Sequence, residues 1–198
     1  DLTYFRNKEK FLTKGKTEAI IQSKYNFKSN DVQFLKDKMI LSSNNKTNII
    51  DDEIRLYKLD KFSYDIKKEF LKATNISINE NIKIPKNQTN QLFFKNGFFD
   101  LKNQKFVTGK TEIKFKKNLF DNNENDPRLK GASSSSENKI TTVNKSIFTS
   151  CNNNDKCPPW HIKAKKITHD QNKKQLIYDD AVLKIYDVPV FYFPKFFH

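Results

Sequence analysis

The feature that most constrains this chain is alternation. Apolar residues recur at every second position in run after run, while a 3.6-residue helical period is nearly absent. Ala19, Ile21, Ser23, Tyr25 and Phe27 share one side of an extended segment. Val32 and Phe34 follow, then Met39 and Leu41, Ile54 and Leu56, and Phe62 and Tyr64. Further on come Ile76 with Ile78, Leu92 to Phe94, Phe98 to Leu101, Phe106 to Thr108, and Ile113 with Phe115. Successive side chains of a strand point to opposite faces, so these runs read as short strands with one buried face. Phe, Tyr, Ile and Thr suit a pleated, half-buried surface, and 18 Phe in 198 residues is a large stock of one of them. The runs follow one another about every ten residues and pair at about twenty, the rhythm of a sandwich, barrel or solenoid. The predicted class is all-β.

Polar punctuation organises the rest. Residues 1–117 read as one set of strand repeats. Residues 118–138 hold Asp121-Asn122-Asn123-Glu124-Asn125-Asp126-Pro127 and Gly131-Ala132-Ser133-Ser134-Ser135-Ser136, a composition that buries little apolar area and predicts a surface loop. Residues 139–198 then supply the closing strands of the same domain, ending in the apolar Val188-Pro189-Val190-Phe191-Tyr192-Phe193-Pro194. Two prolines suit an edge strand or a lead into another domain. No run approaches the apolar length of a membrane-spanning helix. The first residues show no basic segment followed by an apolar one, so the chain is expected to be either cytosolic or a processed piece of something longer.

The formal charge is +14, yet only Arg6, Arg55 and Arg128 of the 37 basic residues are arginine. Arginine is the usual tool for bidentate recognition of phosphates and bases. The lysines are interspersed with asparagine and form no basic block, which reads first as solvated faces and second as a polyanion surface. Enzyme signatures are missing: there is no glycine-rich phosphate loop and no nucleophile elbow. The paired acids Asp51-Asp52 and Asp179-Asp180 read as turn residues. Neither catalysis nor a cofactor is expected.

Cys151 and Cys157, the two cysteines, admit three readings. A disulfide closing the polar loop between them is worth roughly 2–2.5 kcal/mol and needs an oxidising compartment. A zinc site would recruit His161 and His169, but zinc cysteine pairs usually stand closer together. Two free thiols are the third.

The C-terminal residues bring a resemblance. Cys157-Pro158-Pro159-Trp160-His161-Ile162-Lys163-Ala164 and the run from Tyr178 to His198 resemble the OstA-type (organic solvent tolerance) family of lipopolysaccharide-assembly proteins, the LptD family. There a Trp-x-Ile-x-Ala strand precedes a Val-Pro-Val-x-Tyr-x-Pro strand that leads into an outer-membrane barrel. Gly15-Lys16-Thr17-Glu18-Ala19, Asn30-Asp31-Val32 and Asp126-Pro127-Arg128-Leu129-Lys130-Gly131 are similar to the family's periplasmic repeats. The likeness is specific from Trp160 to His198 and looser before Asn118.

The resemblance implies antiparallel strands in a twisted β-jellyroll or β-solenoid with an apolar groove, at the periplasmic face of the outer membrane. It implies that lipopolysaccharide is bound there and passed on from a periplasmic bridge protein (LptA-like) that docks by strand addition. The barrel and its lipoprotein plug are not in this sequence. The periplasm favours the Cys151–Cys157 disulfide. The alternating apolar set nominates Ile21, Phe27, Phe34, Leu41, Ile54, Leu56 and Phe62 for the groove, each equally at home in an ordinary core. No metal and no nucleic-acid partner is expected, and the rival reading is a basic β-module that binds nucleic acid or another polyanion.

Overall fold

The computed structural model describes residues 1–117, 124–152 and 159–197. It is all-β: one antiparallel, unclosed sheet of seventeen strands among the described residues. Nine short strands come first: β1 (Leu2–Phe5), β2 (Lys10–Thr13), β3 (Lys16–Ile21), β4 (Tyr25–Asn30), β5 (Gln33–Leu35), β6 (Ile40–Ser43), β7 (Thr47–Ile50), β8 (Leu56–Leu59) and β9 (Lys61–Asp65). Eight long ones form a meander: β10 (Phe70–Asn79), β11 (Gln91–Asp100), β12 (Lys105–Lys114), β13 (Arg128–Glu137), β14 (Ile140–Thr149), β15 (Trp160–Asp170), β16 (Gln175–Ile185) and β17 (Val188–Phe197).

Each long strand is bent near its middle. The ladders skip the pair at Asn75, Lys95, Lys110, Ala132, Lys145, Lys165, Asp180 and Pro194 and resume on the far side; β13–β14 also skips Gly131 and Ser146, and β16–β17 shifts register again between Leu183 and Lys184. Alternation breaks there as well: Lys95-Asn96 and Asn144-Lys145 are two consecutive exposed residues between buried ones. One extra outward residue turns the strand through a corner while keeping the same face inside. Asn75, Lys110, Lys145 and Asp180 adopt positive φ at this point. The sheet is thereby divided into two wings. β10 holds both together, pairing through Phe70–Thr74 with β9 and through Ser77–Asn79 with β8. The short strands divide the same way, β2-β5-β6-β9 into the first wing and β3-β4-β7-β8 into the second.

Side chains from the two wings meet inside. Phe27 of β4 sets its ring edge-on to Phe62 of β9 at 5.4 Å, and Phe94 packs on Phe106 at 5.6 Å. Two apolar clusters result, one centred on Phe27, Phe62, Tyr64 and Phe94, the other on Leu129, Phe148, Ile167 and Tyr178, with Leu92 touching both. Between them lies a hydroxyl trio in which Ser134 is 2.6 Å from Thr108 and 2.8 Å from Thr111. These groups satisfy one another, so burial costs them little.

The rhythm of ten and twenty expected from the sequence is replaced by a longer one. β10, β12, β14 and β16 begin at Phe70, Lys105, Ile140 and Gln175, 35 residues apart each time. Leu92 to Phe94 and Phe98 to Leu101, which read as separate strands, are the two arms of β11 and the turn that follows. The expected loop over 118–138 is likewise corrected. Residues 118–123 lie outside the described part, but Arg128–Glu137 is β13, paired on both sides. The serine run forms a strand because its neighbours supply what it lacks. Leu129 anchors one arm at 1% exposure, and the Ser134 hydroxyl finds Thr108 and Thr111 across the ladder.

Candidate apolar site between the wings

Cross-strand pairing lines inward residues up in rows perpendicular to the strands. On the first wing one row runs Tyr4, Phe11, Phe34, Leu41, Tyr64, Leu71, Phe99 and Phe106, then Ser136, Thr141, His169 and Leu176. On the second wing the matching row is Ala19, Phe27, Ile49, Tyr57, Ile78, Leu92, Ile113, Leu129, Phe148, Ile162, Leu183 and Phe191. That second row carries no charge and no polar side chain other than the Tyr57 phenol over twelve strands. The first row starts at Tyr4 of β1, 44% exposed, and ends at the buried Leu176 of β16, whereas the second ends at Phe191 of β17, 60% exposed on a strand that among the described residues pairs only with β16.

Near the N-terminal end the wings leave a small apolar cavity of about 40 Å³. Ile21, Tyr25, Phe27, Ile49, Tyr57, Phe62, Tyr64, Leu71 and Leu101 line it. That space would hold only a few waters, on the scale of roughly 10–15 Å³ each. Two of its tyrosines are tethered at the hydroxyl, Tyr57 donating to Asp51 Oδ2 at 2.9 Å and Tyr64 to Gln22 Oε1 at 3.2 Å. Burial pushes the Tyr64 phenol up to about 12 and the Tyr57 phenol higher still, so both stay neutral.

Asp51 holds this end together. Its side chain is fully buried and accepts from the Glu53 and Arg55 amides at 3.1 and 2.9 Å, from Arg55 Nε at 2.7 Å, and from Tyr57. The carboxylate thus organises a tight turn over 51–55 in which Ile54 takes φ 57°.

Of the residues nominated from sequence, Phe27 and Phe62 face each other in the core and Ile21 joins them at the cavity. Phe34 and Leu41 lie on the first-wing row. Two nominations are corrected. Ile54 belongs to the Asp51 turn, ahead of the strand. Leu56 pairs with Ile50 and Asn79, which sets it one position off the row that Tyr57 occupies. A one-residue shift moves a side chain to the other face, and the Asp51 turn fixes that register.

The sequence reading missed most of the second-wing row. Its signal was present at a spacing of 35: Ile78, Ile113, Phe148 and Leu183 hold one inward position, and Leu71, Phe106, Thr141 and Leu176 another.

Cys151 carries a free thiol 3.6 Å from the Trp160 carbonyl. Cys157, its expected partner, lies outside the described residues. His161 is buried with Nε2 3.7 Å from Asp187, whereas His169 sits edge-on to Phe115 at 6.1 Å on the opposite wing. Among the described residues no three His, Cys, Asp or Glu side chains come together as a metal site. Comparison with protein families found no family model that matches the chain, and comparison with curated proteins found no match.

Proposed function

We propose that this chain binds the acyl part of lipopolysaccharide between its wings and hands it along the sheet toward the outer membrane, as the LptD-like resemblance implies. The bent sheet would then be a twisted jellyroll, and the space between its wings the apolar groove. The observation that carries this reading is the second-wing row, apolar from the β3 edge to β17. A row free of charge across twelve strands gives acyl chains a continuous lining.

The energetics suit a carrier. Each methylene moved out of water is worth about 0.8 kcal/mol, so a twelve-carbon chain is worth on the order of 10 kcal/mol. That gain offsets parting the wings around so small a cavity. Positions along the row are chemically alike, so a lipid moves between them at little cost, and direction comes from a push upstream. Strand addition of the bridge protein would go to β1 and β3, which among the described residues pair on one side only, with β2 and β4. β17 would continue toward the barrel and its lipoprotein plug. An oxidising periplasm would let the Cys151 thiol, free in this structure, close on Cys157, and no step of binding calls for catalysis.

Mass spectrometry of the chain purified under native conditions from a lipopolysaccharide-producing host tests the reading. Lipopolysaccharide or lipid A is expected to copurify near one per chain. A lipid-free protein that also takes up none on incubation with lipopolysaccharide would contradict it.

A further inference from the structure

The wings are joined at their bends and face each other across a mouth at their far ends, where the hairpin turns lie. In the N-terminal half the first wing brings the turns over 36–39, 66–69 and 101–104 to that mouth, and the second brings those over 22–24 and 51–55. A hydrogen bond crosses it here. The hydroxyl of Tyr64, at the end of β9 beside the 66–69 turn, donates to Gln22 Oε1 in the 22–24 turn at 3.2 Å. Tyr64 is 4% exposed, whereas Gln22 is a surface residue. A side chain from the surface thus reaches across the mouth and caps a buried phenol. The turn aims it: Gln22 and Ser23 take φ of 52° and 54°, and the Lys24 amide donates to the Ile21 carbonyl at 3.0 Å, the tight two-residue hairpin form.

The apolar cavity lies at the same place. Tyr64 lines it, with Ile21 and Tyr25 from either side of the 22–24 turn and Leu101 from the first wing. Packing is what opposes parting the wings, and atoms that line a gap have already forfeited part of that attraction. The wings therefore separate most readily at this point. Gln22 also follows directly on β3, a strand to which the bridge protein would add, so it stands at the end where a lipid would arrive.

We infer that the Gln22–Tyr64 hydrogen bond is a latch on the mouth, and that its release admits an alkyl chain to the space between the wings. The inference rests on the proposed reading of that space as a lipid site. A hydrogen bond of ordinary net strength holds such an opening back by about two- to tenfold. That is enough to set the rate of entry and little enough for thermal motion to undo.

The test is stopped-flow uptake of the neutral apolar dye 1-N-phenylnaphthylamine by the full chain. Gln22→Ala removes the acceptor, and Tyr64→Phe removes the donor hydroxyl while keeping the ring. Each is expected to take up the dye about two- to tenfold faster than the parent. The double variant is expected to be no faster than the quicker single one, because both changes break the same bond. Tyr192→Phe, which removes an exposed hydroxyl bonded to Asp180, is expected to match the parent. If Tyr64→Phe melts below the parent, Gln22→Glu takes its place: it keeps an acceptor oxygen at the same reach and is expected to load no faster than the parent. Single variants that load at the parent's rate, or gains that multiply in the double variant, would overturn the latch and leave the groove standing. No uptake by any of these proteins would overturn the groove reading, and the latch with it.

Discussion

At the scale of single residues, the buried Asp51 and the half-buried His169 do most to tie chemistry to shape. Asp51 satisfies four donors from one fully buried carboxylate, and its turn decides which residues of β8 face inward. Asp51→Ala strands the Tyr57 hydroxyl and the Arg55 guanidinium. Because Arg55 keeps a third of its side chain in water, the expected cost is about 2–3 kcal/mol, below that of breaking a wholly buried pair. Urea unfolding checks it, and a loss under about 0.5 kcal/mol would mean that the turn is held by other means. His169 gives a pH signature. Burial holds its pKa below the usual 6.5, against an opposing pull from Asp170. The unfolded chain therefore takes up a proton before the folded one does, so this residue's contribution is intact above about 6.5 and declines as pH falls through and below that value. His169→Phe is expected to flatten the fall in stability between neutral and mildly acid pH. An unchanged slope in the variant would contradict this. Neither role was legible in the sequence, where Asp51 read only as a turn residue and His169 as a remote metal candidate. Their meaning lies in partners that the fold brings close.

At the scale of elements, the alternation in the sequence was enough to give strands, and it failed at the bends. Leu92, Phe94, Gly97 and Phe99 all face inward, but Lys95-Asn96 shifts the phase between them, so one strand reads as two. β13 hid for a different reason. Its serines carry little strand propensity of their own, and they are held by hydroxyl partners on β12 and by close approach of β14. That approach explains Gly131. A methyl group there would fall on the Val143 side chain and within 2.9 Å of the Asn144 carbonyl oxygen. Gly131→Ala is expected to destabilise by about 1–3 kcal/mol as β13 and β14 are pushed apart. A melting temperature equal to the parent's would show that the strands have slack at the bend. The stacked turns were also unreadable by pattern. The amides of Lys36, Ile66, Leu101 and Gln171 donate to the carbonyls of Glu9, Met39, Glu69 and Lys139, each from one turn to the turn stacked on it. Backbone bonds of that kind place no demand on residue type.

At the scale of the whole molecule, the sequence supported an all-β unit with one apolar face, and Ile21, Phe27, Phe34, Leu41 and Phe62 of the residues named from it point between the wings. What it left unseen was extent. The nominated stripe stops at Phe62, whereas across the long strands the first-wing row continues to Leu176 and the second-wing row to Phe191. The central claim is that the second-wing row, with the first-wing row facing it, forms a lipid lane, and site-specific photo-crosslinking with lipopolysaccharide tests it most directly. A photoreactive side chain placed at Phe34, Leu92, Ile162 or Phe191 is expected to capture the lipid. The same group at Lys28, Lys58 or Lys130, on the outward faces of the same wings, is expected to capture none. Labelling confined to the outward positions, or equal on both faces, would show that the space between the wings is a closed core and that the lane does not exist.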